Sequence, residues 1–300
     1  MATLTRSHVM EIEGKEIAIS NPDKLLWPQA GVSKLDYLAY LLEVAPCLLR
    51  YTRNRLLTVI RYPHGVEGKH FYQKNLPAYA PAWIPTAVWE NTRYPVLNDL
   101  PTLIWMGNQA ALEWHVSFHE ISDEIPTELV FDLDPSTPDF ADAIDAALKL
   151  KEVLDELQLP SWIKTSGASG LQVYVPIERK YRFAETRRVA EFIARYLVDK
   201  YPRSLTIERL VKNRGKKLYI DYLQHWRGKT LAAPYSTRAK PDATVSAPLR
   251  WEEVPAIHPT QFTVHTMPER LQQTGDLFAP LLSPLNRVSL DPILSFLASR

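Results

Sequence analysis

The stretch LVFDLDPS, residues 129–136, places two carboxylates one residue apart at the end of an apolar run. Successive side chains of a strand alternate between faces, so Asp132 and Asp134 point one way while Phe131 and Leu133 point the other. Two like charges side by side on one face repel, and something has to offset them. One reading is a bound cation. The other is a pair of solvent-facing acids at a strand end that feeds a turn through Pro135 and Ser136.

Outward from this strand, the chain alternates strand and helix patterns. VMEIEGKEIAIS reads as a hairpin turning at Glu13-Gly14. SKLDYLAYLLEVAPCLLRYT opens with Ser33 and Asp36 at capping-box spacing and carries helical periodicity, with Pro46 expected to kink or end the helix. LLTVIRYP reads as a strand, HGVEGKHFYQKN as a loop, the proline-rich stretch 77–101 as an irregular excursion, and LIWMG and LEWHVSFH as strands. Phe140, Ile144, Leu148, Val153 and Leu157 mark one amphipathic helix, and a second runs from about Ala184 to Lys200. WIKTS, LQVYVPI and KLYIDYL complete the strands. This pattern predicts an α+β fold of two mainly antiparallel sheets with packed helices, as a single domain over 1–300.

Of 300 residues, 35 are Lys or Arg and 34 are Asp or Glu, a net charge of +1 that argues against a generally basic nucleic-acid coat and leaves room for local basic patches. The one cysteine, Cys47, excludes an internal disulfide framework and a cysteine zinc site, which fits a reducing cytoplasm. No apolar window approaches the roughly 20 residues that span a bilayer, so no membrane partner is expected.

Several strands carry polar faces. LEWHVSFH sets Glu113, His115, Ser117 and His119 opposite an apolar stripe, LQVYVPI shows Gln172 and Tyr174, and LYIDYL shows Asp221. If these strands neighbour LVFDLD, their polar faces form one site. Carboxylates converging from separate strands suit hard divalent cations, Mn²⁺ or Mg²⁺, which take oxygen ligands and share substrate phosphates. The turn TSGASG could bring backbone N–H groups to a phosphate, or serve only as a tight turn. Lys212, Arg214, Lys216, Lys217, Arg227, Lys229 and Arg238 surround Asp221 in sequence, either as solvated charge or as a triphosphate cradle. Asn21, Lys24, Lys34, Arg61 and Lys74 accompany the aromatic pair Phe71-Tyr72, where a phosphate could be held beside a stacked base, or where the rings are ordinary packing. His64, His70 and His119 receive no role.

Taken in order, ISNPDKLLWP, IRYPHG, HFYQKN, LEWHVS, FDLDPS, KTSGASGLQVYVP and IDYLQHWRGKTLAAPYSTR resemble the polymerase domain of bacterial ligase D, a member of the archaeo-eukaryotic primase superfamily that acts in non-homologous end joining. The resemblance runs from about Glu11 to Glu253, leaving 254–300 as a C-terminal extension packed on the core. It implies that Asp132, Asp134 and Asp221 are the metal ligands of a two-metal site. It implies that His115, Ser166 and Arg238 hold the incoming triphosphate, with Lys229 nearby and Gln172 facing it. Asn21, Lys24 and Lys34 match a pocket for a DNA 5′-phosphate, Phe71 matches an aromatic that stacks on template, and Arg61 and Lys74 lie in motifs of that region. Arg214 matches a mobile-loop arginine linked to assembly of the active site.

Three positions depart from the family pattern. Ser169 stands where a lysine is common, Gln172 where a histidine is usual and His225 where an asparagine is usual. Glutamine can donate a hydrogen bond to phosphate but cannot become cationic. The resemblance implies a template-dependent nucleotidyltransferase that adds NTPs or dNTPs to a 3′-hydroxyl and fills gaps at 5′-phosphorylated breaks, with a preference for ribonucleotides and Mn²⁺. Implied partners are gapped or broken DNA, a Ku-type protein and a DNA ligase in the bacterial nucleoid, since no K-x-D-G ligase motif occurs in the chain. A non-catalytic DNA-end-binding module with a weakened nucleotide site is the first alternative, and a D-x-D phosphohydrolase the second.

Overall fold

A computed structural model describes residues 8–299, so both ends of the expected 1–300 domain, residues 1–7 and Arg300, lie outside the described residues. Two sheets dominate. The larger has six strands in the order Leu205–Thr206, Leu218–Asp221, Glu128–Asp134, Leu171–Pro176, Trp162–Thr165 and Pro248–Leu249. Its pairings are antiparallel apart from the parallel edge pair Leu205–Thr206 with Leu218–Asp221. The smaller sheet is antiparallel throughout, in the order Thr230–Ala232, Ala111–Glu120, Arg55–Arg61 and Phe71–Gln73. Helices Ala141–Glu156 and Phe183–Lys200 pack on the larger sheet, and helices Lys34–Thr52 and Leu100–Asn108 pack on each other and on the smaller one. The architecture is α+β, as the alternating patterns predict.

Local signals explain most of the elements. The first hairpin turns where Glu13 and Gly14 both take positive φ. Ser33 and Asp36 form a full capping box on the helix Lys34–Thr52. Pro46 lies inside that helix, which continues to Thr52 rather than ending there. The missing N–H costs one helical hydrogen bond, while Tyr37, Leu41, Val44 and Leu48 bury the helix face and offset it.

Other expectations need correction. LIWMG is not a strand: it lies within the helix Leu100–Asn108, N-capped by Asp99, whose carboxylate accepts from Thr102 N at 2.8 Å. An unbroken apolar run looks the same in a buried strand and a buried helix, and here Asp99 with Pro101 at the first turn decides for helix. The helix Ala141–Glu156 buries Ala143, Ala146, Ala147, Leu150, Val153 and Leu154, whereas Leu148 is exposed. Alanines share the buried face with Leu150, Val153 and Leu154, which turns the face away from Leu148. The stretch 77–101 contains an ordered hairpin, Thr86–Trp89 with Thr92–Pro95, turning at Glu90 and Asn91 with positive φ. The loop HGVEGKHFYQKN ends in the strand Phe71–Gln73.

Beyond Glu253 the chain is tied to both halves of the molecule. Phe278 is fully buried between the rings of Tyr51 and Tyr174. The adjacent Asp276 accepts hydrogen bonds from Tyr51 and Tyr235 and pairs with Arg50 at 3.0 Å. Among the described residues no helix is long and apolar enough to cross a membrane.

Candidate active site

A cleft of about 670 Å³ opens between the two sheets. The larger sheet contributes Asp132, Asp134, Gln172 and Asp221; the smaller contributes Thr58 and His115. Loops add Lys74, Ser166, Lys229 and Arg238. The β-ladder explains why acids distant in sequence meet: Asp132 stands directly opposite Asp221 on one side and opposite Gln172 on the other. Period-two alternation then puts Asp134 on the same face.

Crowding shows in the protonation of these acids. Burial, then the neighbouring Asp134 and Asp221 charges, push Asp132 up to about 7. Burial and Asp221 raise Asp134 as well, opposed by the charges of Arg214 and Arg238. Asp221 Oδ1 accepts from Tyr219 Oη and from Gln224 N, each at 2.9 Å. Arg214 lies over the Tyr219 ring, 3.8 Å from its centroid, and is held by the carbonyls of Glu208 and Arg209. Tyr219 thus separates Arg214 from Asp221.

The opposite wall is organised by Glu113, which sequence reading placed on the polar face without giving it a task. Its carboxylate accepts from His115 Nε2 and Arg238 Nε, both at 2.9 Å, and from Ala239 N at 3.0 Å. Burial alone would raise Glu113, but the His115 bond, Arg238 and the Ala239 amide hold it down at about 2. It therefore stays ionised and aims both donors, the Arg238 guanidinium and the His115 imidazole. Burial lowers His115 against the pull of Glu113. Ser117 and His119, on the same polar stripe, turn elsewhere: Ser117 donates to His119 O at 2.7 Å, and His119 packs on Trp89 and Phe183.

In the turn TSGASG, Ser166 Oγ accepts from Ala168 N at 3.1 Å and Gly170 N at 3.0 Å, and Ser166 O accepts from Arg238 Nη1 at 2.7 Å. Ser166 itself lines the cleft. Gly167, at φ +70°, could not carry a Cβ without meeting Arg238 Cγ at 2.7 Å and Ser246 N at 2.8 Å. Close backbone packing, not turn geometry alone, requires it.

Gln172 does not have a free amide. Its Nε2 donates to Asp132 Oδ1 at 3.0 Å, and its Oε1 accepts from Lys164, a fully buried lysine that sequence reading did not single out. The signal was present, since period two in WIKTS puts Lys164 on one face with Trp162 and Ser166. Lys229 donates to Leu223 O at 3.0 Å, and burial lowers its pKa. His225 is fully buried, with Nε2 3.0 Å from Thr186 Oγ1 and its ring against Phe118 and Phe183.

A second basic group gathers where the N-terminal motif predicts. Lys34, 5% exposed, donates to Ser20 and Asn108, and burial followed by the charge of Lys24 lowers it to about 8. Lys24 donates to Pro63 O, and its backbone joins it to Asn21, which takes positive φ. Phe71 is 45% exposed, and Arg61 lies over its ring, held by Gln109 O at 2.8 Å and by Gln73 and Tyr79 at 3.0 Å. Lys74 and Tyr72 belong instead to the main cleft.

Among the described residues no group of three or more carboxylates, histidines or thiols is closed around a metal position. The donor chemistry nonetheless fits a hard divalent cation: burial and then neighbouring acid charge raise Asp132 and Asp134, a dication would relieve both, and Asp221 stands opposite Asp132. Asp221 is at present committed to Tyr219 and Gln224.

The family described as "LigD, primase-polymerase domain" matches residues 33–278. The chain is 42% identical over 263 residues to the Bacillus subtilis "Bifunctional non-homologous end joining protein LigD", covering 87% of this chain and 43% of that protein. The Mycolicibacterium smegmatis "Multifunctional non-homologous end joining protein LigD" is 32% identical over 275 residues, covering 89% of this chain and 36% of that protein. The chain therefore spans about two fifths of the length of these curated relatives. Among solved structures, "Polymerase Domain from Mycobacterium tuberculosis Ligase D in complex with DNA" superposes with a TM-score of 0.82 at 31% identity, covering 88% of this chain and 97% of that one.

Proposed function

Because the chain belongs to the ligase D primase-polymerase domain family, a family of metal-dependent nucleotidyltransferases, we propose that the cleft extends a DNA 3′-hydroxyl with NTPs or dNTPs to fill gaps at 5′-phosphorylated breaks. The observation that carries this reading is the facing of Asp132 and Asp221, with Asp134 alongside, in a cleft whose other walls hold Lys74, Lys229 and Arg238. Acids alone would repel a triphosphate, and cations alone would not activate a hydroxyl. Their separation onto facing walls does both.

In this reading Asp132 and Asp134 hold the divalent cations, and Asp221 lies toward the 3′-hydroxyl. Mn²⁺ or Mg²⁺ bound there would acidify that hydroxyl and offset charge on the α-phosphate and the leaving pyrophosphate. Arg238 and His115, aimed by Glu113, grip the triphosphate together with the Ser166 hydroxyl and Lys229. Positioning of this kind provides most of what phosphoryl transfer requires of a protein. Gln172 acts on Asp132 rather than on phosphate. Arg214 reaches the site through Tyr219. Lys24, Lys34 and Asn21 form the anion pocket for the 5′-phosphate, where two adjacent ammonium groups await a shared counter-charge, and Phe71, braced by Arg61, stacks on template.

We read the chain as one catalytic unit, working in the bacterial nucleoid with a Ku-type end-binding protein and a DNA ligase. Primer extension on gapped duplexes with and without a 5′-phosphate tests the reading. Extension should occur, and the phosphate should favour it. Lys24→Ala should erase that preference while basal extension continues; an undiminished preference would remove the pocket from the proposal.

A further inference from the structure

One cross-strand row crosses the larger sheet. Lys164 stands opposite Gln172, Gln172 opposite Asp132, and Asp132 opposite Asp221. Lys164 is 0% exposed, and an ammonium so placed is costly unless it is paired. Its direct acceptors are neutral: Gln172 Oε1, and Ser246 Oγ at 2.5 Å. Ser246 spends its own proton on Thr165 O at 2.8 Å, so toward Lys164 it can only accept. Gln172 Nε2 in turn donates to Asp132 Oδ1 at 3.0 Å.

This chain of bonds has a single direction. If the Gln172 amide turned over, its oxygen would face the Asp132 carboxylate and its NH₂ would face the ammonium. Lys164, pinned by Ser246, therefore selects the orientation in which Gln172 donates to Asp132. We propose that Lys164 is a positioning residue for the acid site, locking the Gln172 amide and through it the Asp132 carboxylate, so that Oδ1 is held and Oδ2 is left for a divalent cation. The proposal rests on the reading of Asp132 as a cation ligand.

Mn²⁺ binding to the full chain without nucleotide, followed by calorimetry, separates positioning from simple electrostatics by its sign. Burial pushes the Lys164 pKa well down, so losing it as a charge alone should leave Mn²⁺ binding unchanged or, by Coulomb's law, tighten it. Loss of a positioning residue should weaken it, by about tenfold for Lys164→Met, within the range seen when outer partners of metal ligands are removed. Gln172→Met should weaken it about equally, and the double variant should be no weaker than either single one, because both act through one bond. Mn²⁺ binding by Lys164→Met as tight as the parent or tighter, with an unchanged thermal melt, overturns the proposal, as do additive losses. Should Lys164→Met be recovered unfolded, Ser246→Ala decides: about threefold weaker binding supports positioning, since one of the two hydrogen bonds that hold Lys164 is lost, and unchanged binding overturns it. Asp132→Ala tests the underlying reading separately. If it keeps the parent affinity, Asp132 is not a ligand and the proposal falls with it; if it loses binding while Lys164→Met does not, only the positioning role fails.

Discussion

Asp132 and Glu113 are both buried carboxylates, yet burial acts on them against opposite neighbours. Asp132 has two acids beside it and is raised to about 7, whereas Glu113 has His115 and Arg238 and stays near 2. The first is suited to a cation that has yet to arrive, the second to holding donors already present, the Arg238 guanidinium and the His115 imidazole. Glu113→Gln should leave Arg238 and His115 without their charged acceptor. Charge-assisted bonds contribute about 1.5–3 kcal/mol each, so the nucleotide KM should rise about tenfold or more while DNA binding stays unchanged. Steady-state extension with a saturating primer-template measures this, and an unaltered KM would detach Glu113 from the triphosphate grip. The three acids were legible in sequence because period two and motif order mark them. Glu113 and Lys164 were not, because their tasks depend on cross-strand partners that no single strand reveals.

At the scale of elements, the turn 165–170 links the two walls: it packs on the strand of Asp132, bonds Arg238 through Ser166 O and gives Thr244 an acceptor in Gly167 O. Gly167→Ala should destabilise the protein by about 2–4 kcal/mol, since strain at positive φ adds to contact with backbone at Ser246 and Val245. Gly31→Ala is the control, at φ +67° with open space around it, and should cost only about 1 kcal/mol. Urea unfolding of the two variants checks the difference; equal losses would mean that packing at Gly167 counts for nothing. The turn itself was legible as TSGASG, but what its glycines pack against was not. LIWMG shows the matching limit for helices: five apolar residues carry no period, and the deciding capping signal lay before them, at Asp99 and Pro101.

Over the whole molecule, the two sheets and the segment after Glu253 share one buried core that runs from Ile12 to Ile293. Its acid stability has an identifiable weak point. Burial, then Arg187, lower His225 to about 3. The folded state therefore refuses a proton that the unfolded chain accepts below about pH 6.5. The stability contributed by neutral His225 is complete above pH 6.5 and falls by about 1.4 kcal/mol per pH unit as pH drops toward 3. His225→Asn, which cannot titrate, should flatten that slope in urea unfolding between pH 6.5 and 5; an identical slope would place the acid sensitivity elsewhere.

The near-neutral composition concealed the charge layout, because acids and cations are balanced in number and separated only in space, on facing walls of one cleft. That separation is the core of the functional account, and its most direct test is extension of a primer on a gapped, 5′-phosphorylated duplex with Mn²⁺ or Mg²⁺, run beside a DNA-binding titration. The parent chain should add nucleotides, and Asp132→Ala should abolish addition while binding the same DNA as tightly. No addition by the parent with either metal despite tight DNA binding, or undiminished addition by Asp132→Ala, would contradict it.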